Sequence, residues 1–477
     1  MLHDKGIKRI EEIQADFNPK ELSIEKILTG FKALKLTESF SEFNRMKLRG
    51  YSFKTVLALL VWMVVLPEKT VSSSIKTLHD SGMNMGKDVF YRLKNKGSIC
   101  WRRILWYIAT KFIKLTEEND TSKERKPRYL IFDDTTVEKS GKKMEYLGRV
   151  WDHVKQRSVL GFKILVAMYW DGKQSIPIDF SVHNEKGKNE SRPYGMSKSD
   201  KRKQYSKKRI NESEGSSRIK ELDTSKIEMM LRMLYSAIYR CLSIDYVLVD
   251  SWFNCDALIK TVRSEGIHLI GMYKIAKTKF MYHGMALTYS EINNRISKSK
   301  RCCSFNLFYK RADVIYDGTR LTLFFTRQGR RGKWKVILTT DTELNFIKTI
   351  EHYQVRWTIE VFNKEAKSLL NLGGCQSSDF DAQIADTTVS MIAYILLSFR
   401  YRYDRYESMG ALYRSMNAEW LRMTLDKRLW ELFLEIVSIV AAVFDIDSDD
   451  LLEKILTNHD AENLMAVFLE NKQCMAC

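Results

Sequence analysis

Four acidic residues stand in contexts suited to metal-assisted phosphodiester chemistry. Asp133 and Asp134 close the apolar run YLIF, Asp250 closes YVLV, and Glu360 lies in the helix-patterned stretch HYQVRWTIEVFNKEAKSLL. Carboxylates at the ends of neighbouring strands, joined by one from a helix, converge on hard divalent cations. Mg²⁺ takes oxygen ligands in near-octahedral geometry and keeps several waters. Two such ions activate a water or a 3′-hydroxyl and stabilise the leaving oxygen of a phosphodiester. A single Asp after a strand is more often a turn or cap residue, so the helix is the more informative element.

Tyr353, Arg356, Glu360 and Lys367 follow the spacing Y-x2-R-x3-E-x6-K. On a helix they fall within an arc of about 60°. Val355, Ile359, Phe362, Ala366 and Leu369 fall on the opposite side. One face is therefore expected to bury, and the other to present a carboxylate flanked by two cations and a phenol. The same spacing also describes a solvated face with helix-spaced ion pairs.

The elements that must position these residues are legible in outline. Residues 1 to about 125 show apolar residues at helical spacing in 24–34, 53–66 and 101–113. Lys94, Lys96, Arg102 and Arg103 put charge near two short helices, in the manner of a DNA-reading module or of an ordinary helical bundle. Near Tyr129 the pattern changes to short strands: YLIF, SVLGFKILVAMYW and SIPIDFSV. Asp171-Gly172 between the last two is a hairpin signal, so three antiparallel strands are expected. In the stretch 186–209, 10 of 24 residues are Lys or Arg, which reads as a loop, flexible without its partner. A helix (225–242), the strand DYVLVD, a helix (254–265) and the strand IHLIGMY follow, an order that implies parallel pairing. From about 274 to 331 the chain is irregular and β-like, as an insertion between core elements. WKVILTTD resumes the core, and the chain is helical from 344 nearly to its end.

Composition bounds the partner. The net charge is +19, from 78 Lys and Arg against 59 Asp and Glu, an excess suited to a polyanion. The 8 cysteines are scattered and do not cluster with His, so a zinc site or disulfide framework is disfavoured and a reducing compartment fits. No apolar leader stands at the N-terminus, and the longest apolar run, 56–67, is shorter than a span and reads as a buried helix. A cytoplasmic protein without a membrane partner is the expectation.

Taken together, the motifs resemble those of the cut-and-paste insertion-sequence transposases that carry a DDE triad and the Y-x2-R-x3-E-x6-K signature. All four signature letters match, DDTT resembles the family's first Asp motif and DSWF its second, and the order agrees over roughly 125–405. The resemblance implies an α/β fold: a ribonuclease H-like mixed-sheet core with a β-rich insertion and helical N- and C-terminal regions. Five segments are expected. Residues 1–125 are a candidate DNA-end-binding region, and 126–273 the first part of the core with the basic loop 186–209. Residues 274–333 are the insertion, 334–405 the last core strand and Glu helix, and 406–477 a candidate dimerisation region.

The resemblance also implies roles. Asp134 is the first catalytic acid and metal ligand by its position before Thr135-Thr136, with Asp133, which also satisfies D-x-T, as the alternative. Asp250 and Glu360 complete the triad, holding Mg²⁺, for which Mn²⁺ substitutes. Tyr353, Arg356 and Lys367 contact DNA-end phosphates, and Lys201, Arg202, Lys203, Lys207, Lys208 and Arg209 of the loop add DNA contacts. Family members often flip a base against an aromatic residue. Trp252, Trp334 and Trp357 are candidates, although each reads more readily as a core aromatic. The implied activity is cleavage of transposon ends and their joining to target DNA, by a homodimer when on DNA. A domesticated, inactive DNA-binding derivative and a nuclease of the same fold without strand transfer are the alternatives.

Overall fold

The computed structural model describes residues 50–80, 85–118, 125–403 and 406–418, together with 437, 440–441 and 446–458. The helical stretch expected at 24–34 and most of the C-terminal region lie outside the described residues. Helices come first: α1 (Phe53–Val65), α2 (Val71–Asp80), α3 (Lys87–Lys94) and α4 (Trp101–Glu118). Every residue of α1 from Val56 to Val65 is buried, as a helix enclosed on all sides requires. Its start is set by Ser52, whose hydroxyl accepts the Thr55 N–H at 3.1 Å.

Strands β1 (Tyr129–Glu138), β2 (Gly148–Asp152), β3 (Arg157–Trp170) and β4 (Ser175–His183) follow. β1, β3 and β4 are the three antiparallel strands expected from the sequence. The Asp171-Gly172 turn joins β3 to β4. Gly172 takes φ +94°, and the Asp171 carboxylate accepts from the N–H groups of Lys173 and Gln174. β2 is additional. It pairs with the first residues of β3, from Arg157 to Gly161, so β3 serves two partners along its length.

Short helices α5 (Lys198–Arg202) and α6 (Glu214–Glu221) precede α7 (Lys226–Tyr239), β5 (Tyr246–Val249), α8 (Asp256–Ser264) and β6 (His268–Tyr273). β5 runs parallel to both β1 and β6, as the strand–helix–strand order implies. The fold is an α/β, ribonuclease H-like mixed sheet: antiparallel strands on one side of β1, and on the other the parallel β5 and β6 followed by further antiparallel strands.

The region expected as an insertion holds β7 (Lys279–Tyr282), β8 (Met285–Thr288), α9 (Tyr289–Arg295), β9 (Lys300–Cys302), β10 (Leu307–Tyr316) and β11 (Thr319–Gln328). It forms no separate layer. β12 (Lys335–Thr339) pairs with β6 on one side and β11 on the other. β11, β10, β7 and β8 therefore continue one sheet of twelve strands among the described residues. A tight Asp317-Gly318 turn, both residues at positive φ, closes the β10–β11 hairpin.

Helices α10 (Phe346–Gln354), α11 (Trp357–Leu369), α12 (Phe380–Tyr403) and α13 (Ser448–Thr457) complete the described chain. α12 packs against α1, α4 and β4. Residues 380–402 are long and apolar enough to cross a membrane by length and composition, and 89% of their most apolar window is buried within the protein. Two of the four basic residues singled out there, Lys94 and Arg102, serve internal packing, while Lys96 and Arg103 are exposed. Lys94 pairs with Asp386 of α12 at 2.6 Å, and Arg102 with Asp179 at 2.7 Å and Glu221 at 2.5 Å. Neither belongs to an exposed reading face, because each cation neutralises a carboxylate that the packing would otherwise bury alone.

Candidate active site

Backbone register brings the first two acids together. β1 and β5 pair in parallel up to Phe132 opposite Val249. The next residue on each strand is an aspartate, so Asp133 and Asp250 occupy neighbouring positions on one face of the sheet. Asp133 is not at a strand end: β1 continues to Glu138, and what ends beside Asp133 is its partner β5. Asp250 itself turns the chain, its carboxylate accepting from the N–H groups of Trp252 at 2.9 Å and Phe253 at 3.2 Å. Burial, reinforced by the Asp250 charge, pushes the Asp133 carboxyl up to about 7, against the opposing influence of Arg356.

Asp134, expected as the first acid, points to the other face of β1 because successive strand side chains alternate. There it is engaged by two lysines: Lys226 at the first residue of α7, in a short contact, and Lys163 of β3 at 3.4 Å. Burial would raise its pKa, but these two ammonium groups hold it below the ordinary carboxylate value. The Lys226 ammonium also lies 4.2 Å from the centre of the Trp252 ring. Asp134 is thus neutralised within the fold, and the acid that meets the rest of the site is Asp133. Nothing in the spacing of the sequence marked Lys163 or Lys226 as its partners.

The third acid comes from α11. The expected single helix is two, α10 and α11, meeting at Val355–Arg356. Both residues keep helical dihedral angles, and the joint is closed by tighter i−3 bonds, Arg356 N–H to the Tyr353 carbonyl at 3.1 Å and Ile359 N–H to the Arg356 carbonyl at 3.2 Å. The expected arc therefore survives the break. Ile359, Phe362 and Ala366 are buried, and Arg356 and Glu360 face β1.

One Arg356 nitrogen makes a short contact with Glu360 and another lies 3.6 Å from Asp133. The guanidinium stands 5.7 Å from the Tyr353 ring centre, and burial raises the Tyr353 hydroxyl to about 12. Lys367 donates to the Thr135 hydroxyl at 2.6 Å, one residue pair along the same face of β1 as Asp133. All four signature residues and two of the expected acids thus meet on one face.

Three carboxylates with oxygen donors only, two of them side by side, suit a hard divalent cation. The raised Asp133 carboxyl reflects negative charge held close under burial, which a cation relieves. As placed, no three His, Cys, Asp or Glu side chains among the described residues stand close enough to hold an ion, and the Arg356 guanidinium supplies the positive charge between Asp133 and Glu360.

The basic stretch, expected as a loop, holds some regular structure. It carries a turn at Pro193–Gly195 and helix α5. Lys207 pairs with Asp379 at 2.9 Å and Asp381 at 2.8 Å, and Arg209 pairs with Glu145, Asp379 and Asp381. These two expected DNA contacts are internal ties between the loop and the start of α12. Lys201 packs its ammonium 3.6 Å from the Tyr194 ring centre, while Arg202, Lys203 and Lys208 are exposed. Two of the three tryptophans read as core aromatics are also on the surface: Trp252 is 52% and Trp357 61% exposed. Trp334 is half-buried between Lys310 and Arg327.

Two families match the chain. The DDE superfamily endonucleases match residues 53–287, and the transposase DDE domain matches residues 220–396. No curated protein matches it. The first match ends beyond Asp133 and Asp250, and the second begins before Asp250 and runs past Glu360 and Lys367. With a ribonuclease H-like sheet that sets two aspartates side by side and a helix that links a glutamate to the first of them through Arg356, the two matches, which together span residues 53–396, support a DDE transposase, an endonuclease that acts on DNA.

Proposed function

We propose that the protein is a divalent-metal-dependent transposase with Asp133, Asp250 and Glu360 as its acid triad. It cuts transposon ends by phosphodiester hydrolysis and joins them to target DNA by transesterification. The observation that carries this reading is Asp133 set beside Asp250 on the sheet and linked through Arg356 to Glu360, with Asp134 turned away and neutralised by lysines. Mg²⁺ is the proposed cofactor, with Mn²⁺ substituting. When bound it supplies charge stabilisation at the attacking and leaving oxygens.

The chain's own residues do the rest. Arg356 offers a planar fork suited to a phosphate, and Lys367 a point charge further along the same helix face. Tyr353 backs Arg356 and offers one hydroxyl. Arg202, Lys203 and Lys208, with Lys201 beside them, extend the cationic path onto the loop. The active species is a homodimer on DNA, working in the cytoplasm at the nucleoid.

The test uses duplex DNA from the regions flanking the coding sequence, intact and pre-cut, with Mg²⁺ or with chelator. Mg²⁺-dependent cleavage of the intact duplex and joining of the pre-cut one are expected. Asp133→Asn, Asp250→Asn and Glu360→Gln should each remove both activities while DNA binding persists. Cutting without joining assigns a nuclease, and wild-type cleavage by Asp133→Asn removes the triad assignment.

A further inference from the structure

The β2–β3 hairpin is a two-stranded ribbon that the triad does not use. Its exposed face carries Arg149, Trp151 and Ser158, the last two directly paired across the strands. The opposite face is anchored by Val150 and Val159, both buried. The tip from His153 to Arg157 is exposed throughout, and Val154 is 94% exposed. The Asp152 carboxylate accepts from the N–H groups of Val154 and Lys155 at 2.9 and 2.8 Å. That acid thus holds the turn, and Gln156 takes φ +50° to close it. Lys155 pairs with Glu138. Arg149 and Arg157 form no ion pair among the described residues.

The ribbon sits between the two cationic parts of the site. On one side Lys155 of the turn pairs with Glu138 of β1, the strand whose Thr135 accepts from Lys367, so the turn end of the ribbon lies toward the signature helix. On the other, Gly195 of the basic loop packs against Arg149 so closely that a Cβ there would lie 2.9 Å from the Arg149 Cβ. Trp151 N–H donates to Glu185 at the start of that loop at 2.7 Å. Lys367, the ribbon and the loop therefore form one continuous surface. A two-stranded ribbon matches the roughly 12 Å width of the major groove of B-form DNA. The tip from His153 to Arg157, exposed throughout, is the part free to enter a groove about 8.5 Å deep.

We propose that the β2–β3 ribbon enters the major groove of the transposon-end duplex next to the cut strand, with Arg149 and Arg157 on the flanking phosphates and the Val154 tip against base edges. This rests on the reading of Lys367 as a contact to the transposon end.

The test places a photo-crosslinking amino acid at Val154, and separately at exposed Lys364 on the Lys367 face of α11, in full-length Glu360→Gln protein. Each is irradiated with the transposon-end duplex, and in parallel with an unrelated target duplex. Crosslinks from both positions to the end duplex, with those from Val154 mapped to major-groove base positions, are expected. Arg149→Gln with Arg157→Gln, checked by thermal melt, should lower the slope of log affinity against log salt by about 0.9 per lost contact. Crosslinks from Lys364 but none from Val154, or from Val154 to the target duplex alone, overturn the ribbon assignment and leave the helix reading intact. An unchanged salt slope in the folded double variant also overturns it. Absence of crosslinks from both positions removes the underlying reading as well.

Discussion

Asp133 and Asp134 are adjacent in the chain and stand on opposite faces of one strand, the first beside Asp250 and Arg356, the second between Lys163 and Lys226. Their asparagine variants should therefore fail in different ways. Asp133→Asn should abolish cleavage with little change in melting temperature. Asp134→Asn leaves two largely buried ammonium groups without their anion, a loss of about 3 kcal/mol, and should lower the melt markedly. Activity and melting, measured on both proteins, check this; the reverse pattern would restore Asp134 as the first acid.

Arg356 uses separate nitrogens toward Asp133 and Glu360. Arg356→Lys keeps the charge and loses the fork, so cleavage and joining should fall by about tenfold or more, since bidentate geometry is not reproduced by an ammonium. Tyr353→Phe should be milder, because one hydroxyl is removed. The rates are compared at fixed Mg²⁺ and salt; a silent Arg356→Lys returns the stripe to an ordinary exposed face, where ion pairs contribute about 0–1 kcal/mol.

The basic loop should divide by burial. Arg209→Ala strips its partner from Glu145, Asp379 and Asp381 and should destabilise the protein by about 3 kcal/mol. Arg202→Ala, Lys203→Ala and Lys208→Ala together should leave the melt nearly unchanged and flatten the salt dependence of DNA binding. Melting curves and salt titrations on the two proteins give the comparison, and a destabilised triple variant with normal DNA binding contradicts it.

His183 is enclosed, with Nε2 2.6 Å from the Ser181 hydroxyl and Nδ1 3.1 Å from the Thr224 carbonyl. A carbonyl only accepts, so Nδ1 carries the proton and Nε2 accepts from Ser181. Burial, with Lys226 nearby, lowers its pKa to about 4 although the Thr224 contact favours the cation. The folded value lies below the unfolded one, so the group's contribution is full above pH about 6.5 and is lost as pH falls toward 4, about 3 kcal/mol in all. NMR titration should show an imidazole neutral down to pH about 5; titration near its ordinary value contradicts the assignment.

Much of the frame was legible. Period-two patterning and the Asp171-Gly172 turn announced β1, β3 and β4, and helical spacing placed Ile359, Phe362 and Ala366 on the buried side of α11. What sequence left open were choices made by distant partners. Which of Asp133 and Asp134 faces the site depends on which face of β1 receives α11. Whether Arg102, Lys207 and Arg209 meet DNA or a carboxylate depends on Asp179, Glu221 and Asp381, far away in the chain. Nor does local pattern show that the β-rich stretch extends the core sheet: β12 must find β6 on one edge and β11 on the other.

That extended sheet orders events during synthesis. Asp133 and Asp250 are made early, and the six strands from β7 to β12 are made before α11, which brings Glu360 and Arg356 against β1. A chain emerging from the ribosome folds from its N-terminal part onward, so it carries both aspartates for the whole time the sheet is being extended without possessing a complete cutting centre. The proposed acid triad is complete only once α11 has been made and has reached β1.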